Sequence, residues 1–309
     1  MKILNKTEEL KKPDKSYVEG LVLMGEYSEN PTKNGGSYLA GNLQALGDVS
    51  FKVWSGACFN DMVKNSYTGK VVKIEGTVNE YGGVKSLILD AIYDVPTEEL
   101  DKEGISEIDF FSTKYDTESY YARLTKKLQK CVSAEAYQVY NLIMGDYLDK
   151  FKNEFAAINY HDNCRGGLLA HTTKVVNICS VITMYPNISS RISIDALCVG
   201  AALHDLGKTL EYCNGTISEV GKYISHNTFG VLILNEHKEE IIHLKGEEFY
   251  NILLSIVSQH HGEYGERPRT IAAYIVHQFD LLDSSLTLLD QTLEDTPTGQ
   301  VRFDGLKLI

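Results

Sequence analysis

Five histidines and two aspartates follow one another in the C-terminal part of this 309-residue chain in the order H, HD, H, HH, D. They are His171, His204, Asp205, His226, His260, His261 and Asp280. Imidazole nitrogens combined with carboxylate oxygens bind divalent transition metals, whereas an all-oxygen set favours Mg²⁺ or Ca²⁺. The pattern therefore predicts a site for a transition metal.

The motif Ala-Leu-His204-Asp205-Leu-Gly-Lys208 is the most specific of these signals. The carboxylate of Asp205 has two oxygens, so this residue is the expected bridge between two ions. Two ions about 3.5–4 Å apart can activate water and bind phosphoryl oxygens for in-line displacement. Lys208, one helical turn further on, could steady a phosphate oxygen; the alternative is a solvated lysine at a helix C-terminus. We expect Asp205 and Lys208 to act in phosphodiester hydrolysis.

The remaining histidines and a further aspartate are weaker candidates. Successive helical residues point about 100° apart, so His260 is the firmer ligand and His261 is left open. Asp283 could orient a metal-bound histidine, or it could be a helix-surface carboxylate. His161 could approach the site as a phosphate contact, and His277 fits packing as well as the site.

Residues 17–95 alternate apolar and polar positions in five short segments separated by Gly and Asn, which is typical of antiparallel strands. A helix is expected around residues 58–65, between the third and fourth strands. Gly-containing turns at Asn34-Gly35-Gly36 and Tyr81-Gly82-Gly83 can supply the positive φ that tight hairpins need. Five strands with this helix predict an OB-fold barrel.

From residue 117 onward the apolar residues recur every three or four positions, so an all-α domain is expected there. The predicted organisation is a β-barrel domain over residues 1–97, a linker over 98–116 and a helical domain over 117–309. The last dozen residues could form a short hairpin.

The net charge of −12 argues against a general nucleic-acid binder with a basic surface. Any attraction for RNA or DNA must be local, and the other expected substrate is a small nucleotide. No segment is apolar over the roughly 20 residues that a membrane span needs, and no secretory signal is evident, so we expect a cytoplasmic protein without a membrane partner. The six scattered cysteines contain no CxxC pair, which disfavours a structural zinc site.

The motifs GGLLAHT, ALHDLGK, SHN, SQHHGEYGERP and FDLLDS, in this order behind a predicted OB-fold, resemble those of the YhaM-type 3′→5′ exoribonucleases. The strand segments GDVSFKVWSG and GKVVKIEGTVNEYGGVKSLILDAI resemble the nucleic-acid-binding module of that family. The resemblance covers nearly the whole chain. One departure is Ser225-His226-Asn227, where Gly-His-Ile is more usual in the family.

The resemblance implies an HD-superfamily phosphohydrolase domain that removes nucleoside monophosphates from the 3′ end of single-stranded RNA, with DNA as another substrate. It implies two ions, Mn²⁺ first and Co²⁺, Fe²⁺ or Zn²⁺ as alternatives, and it allows a homo-oligomer. By position, the implied ligands of one ion are His171, His204, Asp205 and Asp280. The implied ligands of the second ion are His226 and His260, with His261 as an additional candidate.

In the barrel, single-strand binding would use aromatic rings for base stacking and a few lysines for the backbone. The candidates are Tyr38, Phe51, Trp54, Tyr81, Lys52, Lys73 and Lys85. Aromatic strand residues are more often core, and this alternative is favoured for Phe51. Trp54, at a strand end beside Gly56, is the better stacking candidate.

Three functions are weighed: an exonuclease fed by the barrel, an HD phosphohydrolase for a cyclic or small nucleotide whose barrel serves assembly or partner binding, and a non-catalytic nucleic-acid-binding module. The complete ligand set argues against the third function, because a relic site should have lost at least one ligand.

Overall fold

The computed structural model describes residues 2–158, 162–295 and 301–308, and the chain divides into two compact units, Met1–Ser112 and Thr113–Ile309. The elements of the first unit are α1 (Lys6–Glu9), β1 (Tyr17–Pro31), β2 (Ser37–Gln44), β3 (Asp48–Trp54), α2 (Ala57–Lys64), β4 (Val71–Tyr81), β5 (Val84–Asp94), α3 (Thr97–Glu103) and a 3-10 turn (Glu107–Phe110).

The five strands close into a barrel in the order β1-β2-β3-β5-β4, with β1 paired to both β2 and β4. Strands β3 and β5 run parallel, and all other neighbours are antiparallel. Alternate side chains fill the interior, as along β4, where Val72, Ile74 and Val78 are buried. This strand order, with α2 between β3 and β4, confirms the predicted OB-fold.

The segment predicted as a linker is structured at its start. Leu100 of α3 and Phe110 of the 3-10 turn are buried in one cluster with Leu21 and Leu23 of β1. The amide of Leu46 donates to the carbonyl of Phe110 at 2.8 Å. Residues 98–112 therefore lie within the first compact unit.

The second unit is mainly helical. Its helices are α4 (Thr117–Cys131), α5 (Ala134–Met144), α6 (Leu148–Asn153), α7 (Gly167–Cys179), α8 (Pro186–Ser189), α9 (Ile194–Leu203), α10 (Lys208–Glu211), α11 (His226–Glu236), α12 (Lys238–Lys245), α13 (Glu247–Gln259) and α14 (Ile271–Asp295). Short 3-10 segments cover Ser180–Met184 and Gly262–Tyr264. None of the helices that the structure describes is long and apolar enough to cross a membrane.

The expectation of an all-α second domain needs a small correction, because two hairpins interrupt it. Strands β6 (Tyr212–Cys213) and β7 (Thr216–Ile217) pair around Asn214 and Gly215, which both have positive φ. Strands β8 (Val301–Phe303) and β9 (Leu306–Leu308) form the terminal hairpin that the sequence suggested. Strands of two or three residues are too short to show an alternation of apolar and polar residues. The β6–β7 hairpin is therefore not visible against the helical pattern of the surrounding sequence.

Helix α9 lies at the centre of this unit. Its residues from Ala196 to Leu203 are all buried, as expected for a helix that is apolar on every face. Ser193 caps its N-terminus by accepting from the amide of Ala196. Because Gly200 has no side chain, Ile256 of α13 can lie against the helix; a Cβ there would fall 2.3 Å from its Cδ1 atom. The His-Asp pair thus follows directly on a helix whose residues from Ala196 to Leu203 are all buried.

Candidate metal centre

The seven predicted ligands lie in, or directly after, five different helices, and they meet at one place. His171 lies in α7, His204 and Asp205 follow α9, His226 begins α11, His260 and His261 follow α13, and Asp280 lies in α14. Their ligand atoms form two groups, one of His171, His204 and Asp280, the other of Asp205, His226, His260 and His261. Within each group the atoms lie within 4.8 Å of one another.

Asp205 lies between the two groups, and each of its oxygens faces one of them. Oδ2 is 3.5 Å from Nε2 of His171 and 3.3 Å from Nε2 of His204. Oδ1 is 3.6 Å from Nε2 of His226 and 3.4 Å from Nε2 of His260. A carboxylate with an oxygen toward each group has the geometry expected of a bridging ligand.

The outer members complete each group. Asp280 Oδ1 lies 3.1 Å from Nε2 of His171, whose own distance to Nε2 of His204 is 3.3 Å. Nε2 of His261 lies 2.7 Å from Nε2 of His226. His261, which the sequence left open, therefore faces the second group together with His226.

Two buried atoms at the centre fit a cation. Among the residues that the structure describes, neither Oδ1 of Asp205 nor Nε2 of His260 has a hydrogen-bond partner. Burying an unpaired carboxylate oxygen is costly, and an ion between these atoms would remove that cost. The mixed nitrogen and oxygen donors suit Mn²⁺, Fe²⁺, Co²⁺ or Zn²⁺.

Two of the rings are oriented by carboxylates behind them. Nδ1 of His171 hydrogen-bonds Oδ2 of Asp283 at 2.8 Å, and Nδ1 of His226 hydrogen-bonds Oε2 of Glu211 at 2.5 Å. An acceptor at Nδ1 holds a proton on that nitrogen and makes Nε2 the nitrogen that can bind a cation. Asp283 occupies the orienting position considered for it, whereas Glu211 was missed.

Two other rings are oriented by backbone carbonyls. Nδ1 of His204 donates to the carbonyl of Ala201 at 2.8 Å, and Nδ1 of His260 donates to the carbonyl of Val257 at 3.0 Å. Each carbonyl lies three residues earlier, in the last turn of the preceding helix, where main-chain oxygens have no intrahelical partner. Both helix ends therefore fix the ring tautomer locally, with Nε2 toward Asp205.

The protonation states also suit cation binding. Burial lowers the pKa of His260 and of His226, and it lowers that of His261 to about 4, so these rings are neutral at pH 7. For Asp205, burial would raise the pKa, but Lys208 and His204 outweigh it and hold the pKa well below its usual range. The second group therefore presents lone pairs and a negative charge.

His171 is in a different electrostatic position. Burial acts to lower its pKa, but hydrogen bonds with Asp280 and Asp283 outweigh burial and raise it to about 10. A cation would have to displace this proton, so binding there should release protons.

Lys208 is buried in the site. Its Nζ donates to Oδ2 of Asp205 at 2.7 Å. Burial acts to lower its pKa, but Asp205 more than offsets that effect and raises the pKa. The lysine is therefore a buried cation at the site, not the solvated helix-end residue of the alternative interpretation.

A cavity of about 460 Å³ lies over the two groups, and its wall includes Lys208, Tyr212, His226, His261, His277 and Asp280. Burial raises the pKa of Tyr212 to about 12, so its hydroxyl remains a donor. His277 lines this cavity, while its Nδ1 donates to the carbonyl of His260 at 2.7 Å. His161 lies outside the described residues.

Glycine makes the close approach of two ligand-bearing segments possible. A Cβ on Gly207 would lie 2.0 Å from the carbonyl oxygen of His226 and 2.7 Å from the amide nitrogen of Gly230. The φ of Gly207 is −60°, so its conformation is open to any residue. The steric contact with α11 therefore excludes a side chain at this position.

In the barrel, three of the nucleic-acid candidates form a cluster on β2 and β3. Tyr38 and Trp54 are register partners with ring centroids 5.0 Å apart, and Lys52 Nζ lies 5.6 Å from the centre of the Tyr38 ring. Trp54 is 46% exposed. Tyr38 is partly buried, so the pair presents one exposed and one partly exposed ring beside an ammonium, which is a suitable surface for a base and its phosphate.

The other barrel candidates lie in different surroundings. Phe51 is wrong as a stacking residue, because its ring is 1% exposed and packs in the barrel core. Tyr81 is 85% exposed at the β4–β5 turn. Lys73 pairs with Glu19 at 2.5 Å, and Lys85 donates to the carbonyl of Lys12 at 2.8 Å. Roles for Tyr81, Lys73 and Lys85 stay predictions.

Comparison with known proteins agrees with this architecture. Residues 168–285, which include all seven ligand candidates, match the family described as HD domain. The chain is 27% identical over 294 residues to the 3′-5′ exoribonuclease YhaM of Listeria innocua, covering 92% of this chain and 90% of that protein. YhaM of Bacillus subtilis is 26% identical with the same coverage.

Among solved structures, the mitochondrial single-stranded DNA binding protein Rim1 of S. cerevisiae matches 26% of this chain and 97% of its own, with 19% identity and a TM-score of 0.24. The resemblance predicted from the motifs is confirmed: residues 168–285 match the HD domain family and, over 92% of its length, the chain is similar to the YhaM exoribonucleases.

Proposed function

We propose that this protein is a metal-dependent 3′→5′ exoribonuclease that hydrolyses single-stranded RNA with two divalent ions. The observation that carries the proposal is Asp205, a buried carboxylate with one oxygen toward each group of imidazoles. Similarity over 92% of the chain to proteins named 3′-5′ exoribonuclease supports the reaction and the substrate.

His171, His204 and Asp280 would hold one ion, His226, His260 and His261 the other, and Asp205 both. When bound, the ions would supply Lewis-acid chemistry, activating water and neutralising charge on the phosphoryl oxygens. Mn²⁺ is the first choice, since it accepts both imidazole and carboxylate ligands.

The chain's own polar groups would position the phosphodiester. Lys208 Nζ carries three donors, of which one goes to Asp205. The others can donate to a phosphoryl oxygen in the cavity and stabilise the negative charge that grows there. The Tyr212 hydroxyl, protonated at neutral pH, can donate a second hydrogen bond from the same wall.

The barrel would bind the same strand through Tyr38, Lys52 and Trp54. With a net charge of −12, the protein has no general attraction for RNA, so binding must depend on such local contacts. Stacking on exposed rings tolerates any base, which suits an exonuclease that must process every sequence.

The test is to incubate the purified protein and Mn²⁺ with a 5′-labelled single-stranded RNA. We expect a ladder that shortens from the 3′ end, and no cleavage by Asp205→Asn, which loses the negative charge of the bridge and one of its two oxygens. Asp290→Asn, the same change at an exposed position of α14, should retain activity. Hydrolysis of only a cyclic dinucleotide or a mononucleotide would contradict the exonuclease proposal.

A further inference from the structure

A second groove lies next to the cavity over the metal ligands. It has a volume of about 580 Å³, and its lining includes Glu263, Tyr264, Arg267, Tyr274, His277 and Gln278. Tyr264, His277 and Leu281 line both the groove and the cavity, so the two spaces share a wall.

This shared wall is fixed to the metal-site backbone. His277 Nδ1 donates to the carbonyl of His260 at 2.7 Å. The turn at Gly262 packs against the same ring, since a Cβ there would lie 2.3 Å from Cε1 of His277. These two contacts hold His277, and with it the shared wall, at a fixed position beside His260.

The groove offers the chemistry of a nucleotide site. Tyr274 is 56% exposed and Tyr264 is 87% exposed, so both rings can accept a stacked base. Arg267 forms no ion pair with any residue of the described ranges. The carboxylate next to it in the sequence, Glu266, is paired with Arg269 at 2.7 Å. A free guanidinium beside exposed rings suits a phosphate attached to a stacked base.

We infer that this groove binds the nucleotide on the 5′ side of the scissile phosphate, with its base on Tyr274 or Tyr264 and its own phosphate on Arg267. The inference rests on the proposed exonuclease function. If the cavity over the ligands holds the 3′-terminal nucleotide, the rest of the strand must leave through a neighbouring surface. The groove adjoins the cavity across their shared wall and is lined by the groups that such a strand needs. Glu263 also lines the groove, and its carboxylate would repel a phosphate beside it, so the phosphate contact must be made at Arg267.

The experiment compares two substrates of the full-length protein with Mn²⁺. One is a tetranucleotide of RNA; the other is the p-nitrophenyl ester of uridine 5′-monophosphate, which lacks the 5′ nucleotide. Tyr274→Leu should lower the ratio of kcat/KM for the tetranucleotide to kcat/KM for the ester about tenfold, the usual scale of stacking on one ring. Tyr274→Phe keeps the ring and should keep the ratio.

Arg267→Gln gives an independent readout. Loss of one phosphate contact should reduce the salt dependence of tetranucleotide binding by about 0.7 in the slope of log affinity against log salt. Tyr185→Leu, an exposed tyrosine outside both spaces, is the matched control and should change neither quantity.

Two failures can be told apart. If the wild-type protein does not cleave the tetranucleotide, the exonuclease function fails, and this inference fails with it. If the wild-type protein cleaves it but both the ratio in Tyr274→Leu and the salt slope in Arg267→Gln equal the wild-type values, the groove is not the 5′ subsite and the exonuclease function stands.

Discussion

Replacing Asp283 by asparagine isolates the contribution of a carboxylate that lies behind the metal site. Asp283 is buried, and its Oδ2 is 2.8 Å from Nδ1 of His171. Asparagine has nearly the same shape but no charge. Lys174, 3.4 Å from the same oxygen, keeps its contacts with Asp162 at 2.8 Å and Thr287 at 2.7 Å. The substitution therefore leaves no cation unpaired.

The size of the effect follows from the bond that is weakened. A carboxylate behind a metal-binding histidine contributes about 10- to 100-fold in metal affinity or activity. A hydrogen bond to a charged group is worth about 1.5–3 kcal/mol, which corresponds to the same range. We expect Asp283→Asn to raise the Kd for one Mn²⁺ by about 10- to 100-fold.

Calorimetric titration of the metal-free protein with Mn²⁺ measures this change directly. The binding event assigned to His171, His204 and Asp280 should shift, and the event assigned to His226, His260 and His261 should not. Asp290→Asn, at an exposed position of the same helix, is the matched control. Equal affinities in Asp283→Asn and the wild type, with both proteins folded, would refute the role given to the hydrogen bond with His171.

Three further predictions follow from the geometry. Trp54→Ala should weaken binding of single-stranded RNA about tenfold in fluorescence anisotropy, since stacking contributes on the order of 1–3 kcal/mol per base. Gly207→Ala should destabilise the protein by about 1–3 kcal/mol in urea denaturation, because its methyl group would collide with the carbonyl of His226. A chelator should abolish RNA cleavage. It should also lower the melting temperature of the helical unit by roughly 5–10 °C, because an ion present at about 100 times its Kd stabilises the folded state by about 2.7 kcal/mol.

Each of these has a control or a contrary outcome. Tyr93→Ala, at an exposed aromatic position of β5 that is not among the binding candidates, separates a specific effect of Trp54 from a general loss of aromatic surface. Unchanged stability of Gly207→Ala would mean that α11 can move away at no cost. Cleavage that continues in excess chelator, or that Mn²⁺ fails to restore, would argue against a metal-dependent reaction.

The barrel could be predicted almost entirely from the sequence. Alternation of apolar and polar residues is a local property, and the strand boundaries that it indicates agree with β1 to β5 within a few residues. Phe51 and Trp54, three residues apart in β3, lie on opposite faces of the strand, so alternation already separates the buried ring from the half-exposed one. The limit is the pairing of Tyr38 with Trp54, which depends on the register between β2 and β3.

The metal residues illustrate the same division. The types and order of these candidate residues predicted a divalent-metal site, because imidazoles and carboxylates together are typical ligands of transition metals. Which ring faces which oxygen of Asp205 was decided by the packing of five helices that span more than 100 residues of sequence. Glu211 and Gly207 were invisible for this reason: one acts through a hydrogen bond to His226, and the other through the space that it leaves for α11. Such contacts depend on distances between segments far apart in the chain, which the order of residues alone does not contain.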